Sequence, residues 1–220
     1  MKKLLTVVIG SVLFITLIWL GLQLLSEGEE NGAPPTQQQP VHSERRLSAA
    51  DTDPFIGSRD ALVTIILVSS FACPACKEAA TIMDQVAALY PDDVRIVRKD
   101  LPESTGDSFR AAIAARCAQQ QGRFWQYHDL LFAKQDIVAT ETLYRLWARD
   151  TGLIVPIFNT CLEEQETRHL IDANVAEALN LGITIVPYFQ IQEDVGIEGP
   201  QPLAFFRRVI DGHLANANNP

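Results

Sequence analysis

Hydrophobic and polar positions alternate so differently along this chain that they divide it into an anchor, a linker and a domain. Residues 4–25 form an uncharged, mostly apolar run behind Met1-Lys2-Lys3. A helix needs about 20 apolar residues to cross a bilayer, whereas the apolar core of a cleaved signal is about 7–15 residues long. Residues 1–25 are therefore expected to be a transmembrane signal anchor. A cleaved signal peptide is the alternative, but the run ends in bulky residues with no small-x-small pattern, and no cysteine follows a lipobox-like pattern. Lys2 and Lys3 should stay cytoplasmic, which places everything after Leu25 outside in either case. Residues 26–52 are rich in Glu, Gln, Pro and Gly, a composition that buries too little apolar surface to order itself. They are read as a flexible linker.

From Asp53-Pro54 onward the pattern becomes that of a folded domain, expected over 53–216 with a short tail at 217–220. Residues 61–71 (ALVTIILVSSF) are β-branched and nearly continuous in hydrophobicity, as in a strand buried on both faces. They run into Cys73-Pro74-Ala75-Cys76, then into helical spacing at Ala79, Ile82, Met83, Val86 and Leu89. Pro91-Asp92-Asp93 ends that helix, and 94–97 reads as a second strand. Helices follow over 108–133, 140–149 and from Pro156 to about Asn180; a strand interrupted by Pro187 spans 182–191, and 204–214 is a closing helix. Helices inserted between strand pairs predict an α/β sheet with a helical subdomain over about 104–180.

Composition narrows the function. A hydrophobic content of 47% suits a packed core, and 220 residues leave room for one domain besides the anchor and linker. A net charge of −9 without a basic cluster argues against a nucleic-acid partner. No Gly-rich phosphate loop and no flavin or nicotinamide signature is present, so no cofactor is expected. The histidines, His42, His128, His169 and His213, are dispersed without metal-ligand spacing, and His128 in the aromatic helix FWQYHDLLF reads as structural.

The cysteines carry the chemistry. A thiolate at a helix N-terminus is stabilised by the macrodipole and by free backbone N–H groups. Cys73 occupies that end, Pro74 fits the first helical turn, where its missing N–H costs nothing, and Cys76 lies one turn in. Cys73 is thus the expected nucleophile and Cys76 the resolving thiol. A zinc site would offer two close pairs, and a purely structural two-residue loop would stabilise little, so redox chemistry is the better account. Cys117 and Cys161 fall on helices of the inserted region; outside the cytoplasm they are expected to form a structural disulfide, with two free buried thiols as the alternative.

Ordered along the chain are Asp53-Pro54, Gly57-Ser58, Phe71-Ala72-Cys73-Pro74-Ala75-Cys76-Lys77, Ala115-Arg116-Cys117-Ala118, Gly122-Arg123-Phe124-Trp125, His128-Asp129-Leu130-Leu131-Phe132, Phe158, Cys161-Leu162 and Gly182-Ile183 with Val186-Pro187-Tyr188-Phe189. In this series the chain resembles the DsbA-like thioredoxin-fold oxidoreductases of bacteria, over essentially all of the folded part. The resemblance implies a thioredoxin-like fold in which Pro187 is a cis-proline facing the CxxC motif. Val186, Pro74 and Ala75 would then contact substrate. A proline in a strand pattern by itself suggests only an edge or a bulge.

Three positions depart from that family. Leu67 and Ser70 stand where many relatives carry acids on the active-site strand. Ala75 cannot help hold the Cys73 thiolate as a histidine would. Val186 replaces a threonine common before the cis-proline. The expected activity is thiol–disulfide exchange with protein or peptide thiols, in the dithiol-oxidising direction, with a separate redox partner resetting the centre. A reductase, an isomerase and a non-catalytic peptide-binding module are the alternatives.

Overall fold

The computed structural model describes residues 46–103, 106–137, 140–194 and 196–217. The expected anchor and all of the linker up to residue 45 lie outside these residues, as does the tail beyond residue 217. Among the described residues no helix is long and apolar enough to cross a membrane. The described strands are β1 (Phe55–Ile56), β2 (Val63–Ser69), β3 (Val94–Asp100), β4 (Tyr188–Ile191) and β5 (Ile197–Glu198). The helices are α1 (Pro74–Leu89), α2 (Asp107–Gln120), α3 (Phe124–Ala133), α4 (Glu141–Asp150), α5 (Val155–Glu164), α6 (Arg168–Asn180) and α7 (Leu203–Ala217).

One mixed sheet orders the strands β1-β3-β2-β4-β5. β2 lies at its centre, parallel to β3 and antiparallel to β4. Because side chains alternate across a strand, Ile65 and Leu67 pack with Met83 and Val86 of α1 and Phe206 and Ile210 of α7. Ile66 and Val68 point to the other face, against Ala178 of α6 and Ile183. Burial on both faces explains why this segment shows no polar alternation.

A separate apolar cluster fills the helical part, with Ala112, Cys117, Tyr127, Trp147, Phe158 and Ile171 all buried. Two of the long helices expected from periodicity are divided. The stretch over 108–133 breaks at Gly122, whose φ of +68° ends α2 in a left-handed turn that glycine adopts without strain. The stretch from Pro156 breaks at Gln165, also left-handed at φ 51°. The strand expected over 182–191 is shorter, since only Tyr188–Ile191 pairs with β2.

Packing also begins ahead of Asp53. Leu47 is buried with Ile66, Val68 and Val97, and its backbone is clasped by the Gln190 side chain, which accepts from Leu47 N at 2.8 Å and donates to Leu47 O at 3.1 Å. The end of the segment read as linker is thus part of the domain.

Candidate active site

The buried strand β2 ends at Ser69, and a turn over Ser70–Cys73 delivers the chain into α1. Cys73 caps that helix: its sulfur accepts from Cys76 N at 3.1 Å, and Pro74 occupies the first turn. Cys73 is partly exposed and Cys76 fully buried; both are free thiols. The Val186–Pro187 peptide bond is cis. The Val186 carbonyl lies 3.6 Å from the Cys73 sulfur, which donates to it. Cys73, Cys76, Val186 and Pro187 are therefore brought together, with Pro74 and Ala75 in the helical turn between the two thiols.

Electrostatics keeps the buried thiol neutral. Burial, reinforced by the hydrogen bond with Cys73, pushes the Cys76 thiol up to about 12, against smaller lowering contributions from the Ser70 backbone and the Ser69 hydroxyl. Cys76 therefore keeps its proton in the dithiol form, while Cys73 is the solvent-accessible sulfur of the pair. A groove of about 400 Å³ opens beside Cys73, its lining including Leu101, Pro102, Glu103, Val175, Leu179 and Val186.

Charge in this region is supplied by β3. Arg98, Lys99 and Asp100 at its end are all buried. In the parallel register Arg98 lies opposite Leu67 and Asp100 opposite Ser69. The Arg98 guanidinium sits 4.1 Å over the Phe71 ring and is paired with Asp100. Asp100 also receives Arg116 Nε at 2.6 Å, and Arg116 reaches Asn174 Oδ1 at 2.6 Å and Thr52 O at 2.9 Å. Lys99 is held by Asp53 and Glu177, each at 2.7 Å. Burial alone would raise the Asp100 carboxyl, but Arg116 and Arg98 hold it below the usual carboxylate range. The charged residue opposite Leu67 is thus an arginine, and the carboxylate two positions further along β3 is already neutralised by two arginines. Burial pulls the Arg98 guanidinium below its ordinary value, an effect that Asp100 and Cys76 oppose.

His128 lies within the ring cluster of Phe71, Phe124, Trp125 and Phe132, and burial lowers its imidazole to about 4, so it is neutral near pH 7. Cys117 and Cys161 are bonded to each other, with Cα atoms 5.8 Å apart, so neither is free to complete a zinc site with the CxxC pair. Sequence reasoning passed over three groups. Arg98 and Asp100 were lost because charge at the end of β3 reads as the end of a strand. Gln135 was lost because its partners, the carbonyls of Phe71 and Cys73, lie more than sixty residues away.

Comparison with known proteins agrees with this geometry. A family model described as "Thioredoxin" matches residues 49–212. A thioredoxin-like oxidoreductase from Silicibacter pomeroyi DSS-3 is 26% identical, with a TM-score of 0.65 over 74% of this chain and 92% of that one. The structure of α-DsbA1 from Wolbachia pipientis superposes with a TM-score of 0.69 at 21% identity, over 78% of this chain and 95% of that one. A curated relative, a Na(+)/H(+) antiporter NhaA of Herminiimonas arsenicoxydans, is 29% identical over 189 residues, 84% of this chain but 29% of that protein. The chain spans less than a third of the length of such antiporter relatives. The chain belongs to the thioredoxin family, with the fold of the DsbA-like thiol–disulfide oxidoreductases.

Proposed function

We propose that the protein is an extracytoplasmic thiol–disulfide oxidoreductase that oxidises protein dithiols through Cys73 and Cys76. The observation that carries this reading is the placement of the Cys73 sulfur at a helix N-terminus, 3.1 Å from Cys76 N and 3.6 Å from Val186 O, with Cys76 buried behind it. In the oxidised form a substrate thiolate attacks the Cys73 sulfur, the Cys73–Cys76 bond breaks, and Cys76 departs as a thiolate that takes up a proton. A second substrate thiolate then attacks the substrate sulfur of the mixed disulfide and Cys73 departs as a thiolate. The substrate loses two electrons and the cysteine pair gains them. A separate redox partner removes them again, and no organic cofactor is required.

Val186 offers its backbone to an extended peptide lying in the apolar groove, and Pro187, Pro74 and Ala75 border the same sulfur. The Cys117–Cys161 bond favours an oxidising compartment, because such bonds are rare in the cytosol. Residues 1–25 would provide the single-pass anchor, with Lys2 and Lys3 inside. Equilibrating the pair with glutathione tests the direction. An oxidase requires a potential well above that of thioredoxin, about −270 mV; a value near it assigns the protein to disulfide reduction instead.

A further inference from the structure

The turn that carries Cys73 is weakly closed by its own atoms. Cys73 N reaches Ser70 O at 3.3 Å, and Ala72 N reaches Ser70 Oγ at 3.4 Å. Both lie at the long end of N–H···O contacts. Shorter bonds come from outside the turn, where Gln135 Nε2 donates to Phe71 O at 2.8 Å and to Cys73 O at 2.9 Å. Both acceptors are carbonyls, so the amide nitrogen must face them, and its two hydrogens are then both used. Gln135 follows the Lys134 cap of α3, and its own backbone N–H donates to Phe132 O. Phe132 in turn packs on Phe71 with ring centroids 5.0 Å apart. The end of α3 therefore grips the Phe71–Cys73 segment through a ring at one point and an amide at two.

We infer that Gln135 is a positioning residue for Cys73: reaching from the helical part, it fixes the turn so that the sulfur meets Cys76 N and Val186 O. This rests on Cys73 being the exchange nucleophile. The Cys73 carbonyl already accepts from Cys76 N at 3.0 Å and Lys77 N at 3.3 Å, the first bonds of α1. A third donor on that oxygen pins the helix start and draws negative charge away from the neighbourhood of the sulfur. Donors placed beside the sulfur favour its anionic form over the thiol.

The test is the rate at which the reduced full chain is alkylated at Cys73 by iodoacetamide at pH 7, beside its thermal midpoint. Gln135→Met keeps the bulk and removes both hydrogen bonds; it should slow alkylation about three- to tenfold, within the range that their loss allows. Gln135→Glu, which cannot donate and sets a negative charge against two carbonyls, should be slower than Gln135→Met. Gln135→Lys restores a donor and should return the rate to at least that of the parent. A Gln135→Met protein as reactive as the parent overturns the inference, as does a Gln135→Lys protein no faster than Gln135→Met. A uniform loss that merely follows the thermal midpoint in all three variants also overturns it, by assigning Gln135 to stability alone. Alkylation uses no protein substrate, so it can fail while Cys73 is still shown by exchange assays to be the nucleophile.

Discussion

The Cys73 thiol and the Val186 carbonyl, 113 residues apart in sequence, lie 3.6 Å from one another. That contact joins the CxxC turn to the loop before β4, where Cys73 is the partly exposed thiol and Cys76 is closed off behind it.

The two cysteines should therefore behave asymmetrically on substitution. A Cys76→Ala protein presented with a disulfide substrate should accumulate a mixed disulfide at Cys73, because no resolving thiol is present. A Cys73→Ser protein should form none. Non-reducing electrophoresis with peptide mapping reads both, and an adduct on Cys76 in the Cys73→Ser protein would contradict the assignment.

Asp100 lies between two buried arginines, Arg98 and Arg116. Asp100→Asn leaves Arg98 without a carboxylate and Arg116 with only the more distant Asp53 at 3.5 Å, and breaking a buried pair from one side costs about 3–5 kcal/mol. Arg98→Met should cost less, because Asp100 keeps Arg116 and the methionine fills apolar space against Phe71. Urea denaturation of both variants checks the order; equal losses would mean that the network does not hold Asp100 in this way.

His128 makes stability depend on pH. Its imidazole titrates at about 4 in the fold, because burial opposes its charge, against 6.5 as the ordinary value. A folded value below the unfolded one means that the unfolded chain binds the proton more readily. Stability is then complete above about pH 6.5 and is lost as pH falls toward 4, by an amount on the order of 2–3 kcal/mol. Below that window the depressed Asp100 carboxyl adds a further loss. A His128→Asn protein should lack the first decline, which thermal midpoints between pH 4 and 7 would show.

Much of this site was legible because its chemistry is local in sequence. A doubly buried strand is apolar nearly throughout, and a proline after the first cysteine fits a helix start, so β2, Cys73 and α1 follow from residues 61–89 alone. The opposition of Val186-Pro187 needed the family resemblance, since a proline in a strand pattern carries no such information. Arg98, Lys99 and Asp100 defeated pattern reading for a different reason. Their burial depends on partners at Asp53, Arg116, Asn174 and Glu177, and nothing in the local pattern reveals a buried charge whose counter-charges come from other elements. Leu47 was hidden likewise, because a single apolar residue at the end of a polar stretch gives no periodicity.

The Cys117–Cys161 bond closes a loop of 44 residues between α2 and α5. Replacing both cysteines with alanine should cost about 2–4 kcal/mol by the chain-entropy account, while exchange at Cys73 persists under conditions where the variant is folded. Denaturation curves with and without reductant separate the parent from the variant. A parent whose stability ignored reductant would show that the bond adds nothing.

The same bond has a consequence for how each molecule comes into being. A newly made chain arrives with all four of its cysteines as thiols, and two of them must be coupled before the helical part reaches the form described above. The protein is thus itself a substrate of dithiol oxidation, the kind of chemistry that its other cysteine pair is proposed to deliver to its neighbours.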